Sequence, residues 1–142
     1  HRRLLAQTAL QLLSEHKNKK AIDILKKADV EIPDYNVPID YMSGGLDMAR
    51  GWILAGQKQK AAEYVGKVWK TASQYLSYYL SLDANRFAQA QNDCIRQIMI
   101  MQSTCEVASM VDQKTAKKYE DQLNKLYTLY HGRGGQMPNA GN

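Results

Sequence analysis

The sequence contains little of what defines several common protein classes. Among its 142 residues are two cysteines, three histidines, three prolines and one phenylalanine, and no run of 18 uncharged apolar residues occurs. The missing apolar run excludes a membrane-spanning helix. The few prolines and an apolar content of 44% favour a folded, helix-rich protein. The length allows one domain with a hydrophobic core and excludes two domains with a linker.

Residue patterns of enzymes and metal sites are also missing. The histidines stand at the chain start and at two predicted helix ends, and none has a Ser or Cys in a nucleophile arrangement beside it. Cys94 and Cys105 lack C-x-x-C spacing, and on one helix they lie about 16 Å apart along the axis, too far for a disulfide. We therefore predict two core thiols, no catalytic residue, no metal site and no cofactor.

Two helices joined by a short polar turn form the unit around which the chain is organised. The apolar residues Ala21, Ile24, Leu25 and Ala28 share one face of the second helix, and Leu5, Ala9, Leu12 and Leu13 form the stripe of the first. The break at 14–18 is so short that the two helices must be antiparallel neighbours. One such hairpin cannot bury both stripes, so a second must stack on it.

A shift of forty residues brings a second copy of this unit into register. The matched pairs are Ala9 with Ala49, Leu13 with Ile53, Lys20 with Lys60, Ala21 with Ala61 and Leu25 with Val65. Gly56 stands where a left-handed residue ends the first helix of the pair, and His16 takes the equivalent position. The pattern resembles the tetratricopeptide repeat. It implies an all-α fold of tetratricopeptide-like antiparallel helix pairs, with about six helices in a right-handed solenoid or bundle.

The remaining segments predict a connector and further helices. In the connector 31–40, Pro33 ends the second helix, Asp40 caps the third, and Tyr35, Val37 and Ile39 pack on the helices. A long helix follows with Ala61, Tyr64, Val65, Val68, Ala72, Tyr75 and Tyr79 on its apolar stripe.

Another helix is expected from Ala84 to Met110 after the cap Asp83, and a last one after the cap Asp112. Phe87, Cys94, Ile98, Met101 and Cys105 form one apolar side of the Ala84–Met110 helix, and Ile95, Met99 and Gln102 the adjoining side. Apolar residues on both sides predict that more than one neighbour covers this helix. Residues 1–131 are expected to form a single domain, and 132–142 a flexible tail.

The one candidate groove is formed by Trp52, Trp69 and Tyr78. Tyr75 and Tyr79 share a helix face and are expected in the core, whereas Tyr78 lies on another face. With Trp52 and Trp69 nearby, Tyr78 would line a groove for a sugar or a peptide. A core role is the favoured interpretation over the groove, since aromatic stripes at helical spacing usually lie in the core.

The net charge of +5 raises the question of an anionic partner. The lysines mostly occupy outward positions of amphipathic helices, and no aromatic residues alternate with them for base stacking. We therefore expect a solvated helical face and no nucleic acid, with an anionic membrane surface as the alternative.

A more specific resemblance lies in RRLLAQTALQLLSEHKNKKAIDILKKADVEIPDYNVPIDY, WILAGQKQKAAEYV and YLSYYLSL. These segments are similar to the soluble C-terminal region of a family of large bacterial multi-pass membrane proteins, which are themselves similar to protein O-mannosyltransferases. The resemblance extends to about Leu82. It implies a GT-C type membrane portion elsewhere in a larger protein, where sugar transfer from a lipid-linked donor takes place. It transfers no catalytic residue to this sequence.

Three hypotheses follow. The first is a non-catalytic accessory domain at the periplasmic face of the bacterial inner membrane, which binds an acceptor protein or another protein partner for a membrane glycosyltransferase. The second is a free-standing helical-repeat adaptor that binds a peptide or protein. The third, an all-α hydrolase or transferase, requires a polar cavity assembled from distant residues. The sequence does not predict an oligomeric state.

Overall fold

A computed structural model of the chain describes residues 1–34 and 39–138. The described residues form seven α-helices and no strand: α1 (Arg2–Ser14), α2 (Asn18–Glu31), α3 (Gly45–Leu54), α4 (Lys58–Leu80), α5 (Ala84–Gln89), α6 (Gln91–Val111) and α7 (Gln113–Gly132). The predicted all-α class is confirmed. Within the described ranges, no helix is long and apolar enough to cross a membrane.

The first two helix pairs repeat the same turn. In α1–α2 the Lys17 N–H donates to the Leu12 carbonyl at 2.8 Å, and His16, in the middle of the turn 15–17, has a φ of 60°. In α3–α4 the Gln57 N–H donates to the Trp52 carbonyl at 2.8 Å, and Gly56 has a φ of 81°. Both turns are the left-handed helix ending that satisfies the last free carbonyls. The forty-residue register is therefore present in the backbone.

Small residues allow the two pairs to stack closely. Ala9, Ala21, Ala49 and Ala61 are all fully buried. Helix α1 packs on α2 and on α3, and α3 packs on α4. Gly44 lies close to α1, since a Cβ built on it would lie 2.6 Å from the Arg3 Cα. The predicted inner faces of the helix pairs are therefore confirmed.

The connector between α2 and α3 runs from 32 to 44, beyond the predicted end at Asp40, and it differs partly from its prediction. Helix α2 ends at Glu31, two residues before Pro33, and Ile39 is buried, as expected. Tyr35 and Val37 lie outside the described residues. Asp40 does not cap α3: its carboxylate accepts from the Ser43 N–H at 2.8 Å, and the Ser43 hydroxyl accepts from the Asp40 N–H at 3.1 Å. The reciprocal bonds instead close an additional turn, which delays α3 to Gly45.

Two polar side chains attach this connector to the helices. The buried Arg2 guanidinium donates to the Ile32 carbonyl at 2.8 Å and to the Ser43 hydroxyl at 2.9 Å. The Asp34 carboxylate accepts from the Ile39 N–H at 2.8 Å and lies 3.1 Å from the Lys67 amine. The Ile39 N–H, with the Lys67 ammonium, holds the pKa of Asp34 below its usual value. The connector therefore has fixed ends on α1, α2 and α4.

The second half of the chain is a three-helix bundle that shares α4 with the second pair. Trp69 of α4 stacks on Tyr119 of α7 with ring centroids 4.3 Å apart, and the Leu80 carbonyl accepts from Arg133 at 2.7 Å. These contacts, at both ends of the pair, show that α4 and α7 run in the same direction. Helix α6 packs between them, against both. One core therefore continues from the helix pairs into the bundle.

The predicted helix at Ala84–Met110 is interrupted at Ala90, which gives one helix more than expected. Ala90 has φ −94° and ψ 8°, and its N–H bonds back to Arg86 and Phe87 of α5. The interruption turns α5 so that the Phe87 ring reaches Tyr130 of α7, with centroids 5.9 Å apart. The predicted caps are confirmed: Asp83 accepts from the Arg86 N–H, and Asp112 from two N–H groups of α7.

The buried face of α4 differs between the first and the second half of the helix. Its first half buries Ala61, Tyr64, Val65 and Val68, as predicted. Its second half buries Trp69, Ala72 and Leu76, whereas Tyr75 is 52% exposed. The core role expected for Tyr75 is wrong, because α4 changes its partner from α3 to the bundle and turns a different face inward.

The segment after α7 turns back onto the core. Gly134, with a φ of 88°, reverses the chain, so that the Gly135 N–H reaches the Tyr130 carbonyl at 2.9 Å. The Tyr130 hydroxyl donates to the Gln136 carbonyl at 2.8 Å, and Met137 packs on the core. The segment expected to be a flexible tail therefore makes specific contacts as far as Met137. Residues 139–142 lie outside the described residues.

Candidate interaction surface

The structure does not bring the three predicted groove residues to one surface. Trp52 is 1% exposed, and the Lys60 amine lies 5.8 Å from the centre of its ring. Trp69 is 6% exposed, and its indole N–H donates to the Gln122 side chain at 2.8 Å. Tyr78 is 59% exposed, and its ring centroid lies 5.7 Å from that of Tyr79. The two tryptophans are core residues that present no ring to a ligand.

An apolar surface of another composition lies beside α6. The first apolar side of α6 is buried as predicted. On its second side Met99 is 54% exposed, Ile95 is half-buried and Gln102 is exposed. Helix α6 has more than one neighbour, as predicted, since it packs on α4 and on α7, but neither of them covers this side. Around it lie further exposed apolar side chains, contributed by the connector and by α4. The exposed residues Tyr41, Met42, Tyr75 and Met99, together with the half-buried Ile95, are named the Tyr41 strip below.

Three clefts meet at Tyr41 and make the strip continuous. One of about 70 Å³ separates Tyr41 and Met42 from Tyr75 of α4. A second, of about 350 Å³, runs along α6 past Ile95 and Met99. Ile100 lines both, so they form one surface across the seam between α4 and α6. A patch of this kind, with a polar rim, is typical of an interaction site.

The third cleft is a small polar pocket at the α1–α3 end of the strip. It has a volume of about 80 Å³ and is lined by Arg3, Tyr41, Leu46, Asp47, Arg50 and Ser103, and it is named the arginine pocket below. Asp47 lies 3.6 Å from the Arg3 side chain and 3.3 Å from that of Arg50. Two guanidinium groups thus share one carboxylate, which leaves a net charge of +1.

The buried thiols are not part of this surface. Cys94 and Cys105 are both free and buried in α6. Burial raises the pKa of Cys94, and it raises the pKa of Cys105 to about 11. The predicted place of the two thiols in the core is confirmed, and both are in the neutral form at neutral pH. Among the described residues, no group of three or more metal-ligating side chains converges.

The strongest pKa shift belongs to a structural contact between the two pairs. The Tyr64 hydroxyl of α4 donates to the Asp29 carboxylate of α2, which also lies 2.9 Å from the Lys60 amine. Burial, and secondarily the hydrogen bond to Asp29, raise the pKa of Tyr64 far above its usual value. Tyr64 is 1% exposed, so this group ties the helix pairs together and offers nothing to a ligand.

The lysine-rich outward face of α2 carries charges of both signs. Lys19, Lys20 and Lys26 are exposed, and Lys27 lies 3.9 Å from the Glu31 carboxylate. Asp23 lies on the same exposed face. Alternating charge of this kind is the usual pattern of a solvated helix surface.

No protein-family model, no curated protein and no solved structure matches the chain. The fold therefore defines the class: an all-α protein in which two repeated helix pairs continue into a three-helix bundle.

Sequence reasoning missed the Tyr41 strip for an identifiable reason. The pattern at Ile95 and Met99 was visible, but apolar residues on two sides of a helix predict two covering neighbours as readily as an open surface. Tyr41 and Met42 stand in an irregular segment, where no helical spacing marks them.

Proposed function

We propose that the chain is a non-catalytic protein-interaction module that binds a partner segment on the Tyr41 strip. The observation that carries this proposal is the uncovered apolar side of α6, where Met99 is 54% exposed; Met42, which is 70% exposed, lines the adjoining cleft. Methionine side chains adapt their shape to different partners, and they are common on binding surfaces for that reason. Tyr41 and Tyr75 add large, rigid contact area at low conformational cost.

The shape of the strip suits a helix better than an extended strand. It contains no strand edge among the described residues, so no partner backbone can be added to a sheet. The cleft along α6 is bounded by the connector at Tyr41 on one side, which leaves a groove parallel to a helix. An amphipathic partner helix would place its apolar face on Ile95 and Met99.

The resemblance extends this proposal to a parent protein. In this extended proposal, the module belongs to the periplasmic part of a bacterial membrane protein similar to O-glycosyltransferases. Its partner is then an acceptor protein or a subunit of that system. Support comes from the three sequence segments that carry the resemblance, and from them alone. The alternative is a free-standing adaptor. The gene sequence on both sides of these residues distinguishes the two, because the first requires several long apolar segments upstream.

The binding proposal is tested by selecting ligands from a display library of helical peptides of about 20 residues. We expect enriched sequences with apolar residues at helical spacing, i, i+3 or i+4 and i+7. Binding of these peptides should be lost in the Met99→Glu variant, because a carboxylate in the cleft would be desolvated without a partner.

Met110→Glu is the matched control. Met110 lies on the same helix and is 53% exposed, but it lines none of the three clefts that meet at Tyr41. Peptides that bind the Met110→Glu variant as they bind the parent chain support the proposal. Failure to select any binder, or loss of binding in both variants, would contradict it.

A further inference from the structure

The arginine pocket has more donors than acceptors. Arg3 and Arg50 each carry a planar fork of five N–H groups, and the Asp47 carboxylate is the one acidic group between them. Their side chains remain 59% and 39% exposed, so both guanidinium groups can reach a further acceptor. The Ser103 hydroxyl of α6 lines the same pocket.

The pocket adjoins the Tyr41 strip directly. Tyr41 and Ser103 line both the pocket and the cleft along α6. Ser103 follows Met99 by one helical turn, about 6 Å along the axis. A ligand that covers Met99 therefore has its next turn above the pocket. The volume of about 80 Å³ is sufficient for a carboxylate.

We propose that the arginine pocket binds the carboxylate of an Asp or Glu that a partner helix carries one turn away from its apolar anchors. This inference rests on the proposed function, since it assumes that the partner lies on the Tyr41 strip. Arginine pairs with carboxylates through two parallel hydrogen bonds, which fix orientation as well as add affinity. The pocket would thereby set the direction in which the partner helix lies on an otherwise apolar surface.

The test compares two versions of one selected helical peptide, which have Glu or Gln one turn from the apolar anchors. Dissociation constants are measured by fluorescence anisotropy with the whole chain. We expect the Glu peptide to bind about tenfold more tightly, and its advantage to fall as salt is added, because the bond is charge-assisted. Equal affinity of the two peptides would overturn the inference.

Two variants, one that removes a positive charge from the pocket and one that removes its negative charge, test whether the Glu preference arises there. Arg50→Gln should remove the advantage of the Glu peptide, whereas Asp47→Asn should increase it, because the competing carboxylate is gone. Arg86→Gln makes the same charge change on α5, outside the pocket, and should leave both affinities unchanged. Thermal melts of each variant show that it is folded. An unchanged Glu preference in Arg50→Gln would overturn the inference.

The two levels of the proposal fail separately. If both peptides bind equally and both are lost in Met99→Glu, the inference is wrong and the proposed function stands. If peptides selected on the whole chain bind Met99→Glu unchanged, the partner does not lie on the strip, and the proposed function and this inference are both wrong.

Discussion

At the scale of single residues, His16 and Gly56 show how one backbone requirement is met by two side chains. Both have a positive φ at the end of the first helix of a pair. A Cβ at this position costs about 1 kcal/mol, which glycine avoids. The repeat therefore keeps the conformation of the turn while its sequence differs.

Gly56→Ala tests this strain without a packing change, because a Cβ at Gly56 would meet no atom within 4 Å. We expect the free energy of unfolding to fall by about 1 kcal/mol. Gly132→Ala is the control, since that glycine is equally open but has no positive φ. Equal effects of the two substitutions in denaturant melts would contradict the assigned backbone role.

A second prediction concerns neighbouring alanines at the start of α4. Ala61 is fully buried between the helix pairs, whereas Ala62 is exposed. Ala61→Glu should destabilise the fold by several kcal/mol, about 3 or more, because the carboxylate has neither space nor a partner. Ala62→Glu should change the melting temperature little. Similar melting temperatures for the two variants would show that the inner face of α4 is assigned wrongly.

The thiols give a pH prediction. An unfolded cysteine ionises near pH 8.5, whereas burial raises the pKa of Cys105 to about 11. Because the folded-state value is the higher one, this contribution to stability is complete below about pH 8.5 and is lost as pH rises through about 11. At pH 8 both cysteines should resist a thiol reagent in the folded chain and react fully in guanidinium. Rapid reaction without denaturant would place them outside the core.

At the scale of helices and connectors, the sequence predicts elements best where capping chemistry and spacing agree. Asp83 and Asp112 cap their helices as expected because each directly precedes a helical pattern. Asp40 also precedes such a pattern, but Ser43 offers it a nearer partner, and a turn forms instead. The interruption at Ala90 has no local signal, since it depends on where Phe87 meets α7.

The end of α7 allows a test of a packed segment. A chain that stops at Gly132 loses the Gln136 acceptor of the Tyr130 hydroxyl and exposes the Tyr130 ring. We expect its free energy of unfolding to fall by about 2 kcal/mol. Tyr130→Phe removes the hydrogen bond alone and should cost about 1 kcal/mol. A truncated chain with an unchanged melting temperature would show that the segment after Gly132 contributes no stability.

At the scale of the whole molecule, the sequence repeat explains how the helices of the first half pack. The packing of the second half depends instead on contacts between helices that do not repeat. The alanines at the forty-residue register, all of them buried, indicate from their spacing alone how α1 to α4 stack. Nothing comparable indicates which side of α6 stays open, because that depends on where α7 and the connector lie. The candidate surface therefore could not be read from the sequence, although its residues on α6 could.

The central claim is that the Tyr41 strip is a docking surface, and the methionine methyl groups report on it most directly. Met42 and Met99 lie on the strip, whereas Met48 and Met101 are fully buried elsewhere in the core. In an NMR titration of methyl-labelled chain with a selected helical peptide, we predict shifts of the Met42 and Met99 signals and nearly constant Met48 and Met101 signals. Saturating binding that leaves Met42 and Met99 unmoved would contradict the account.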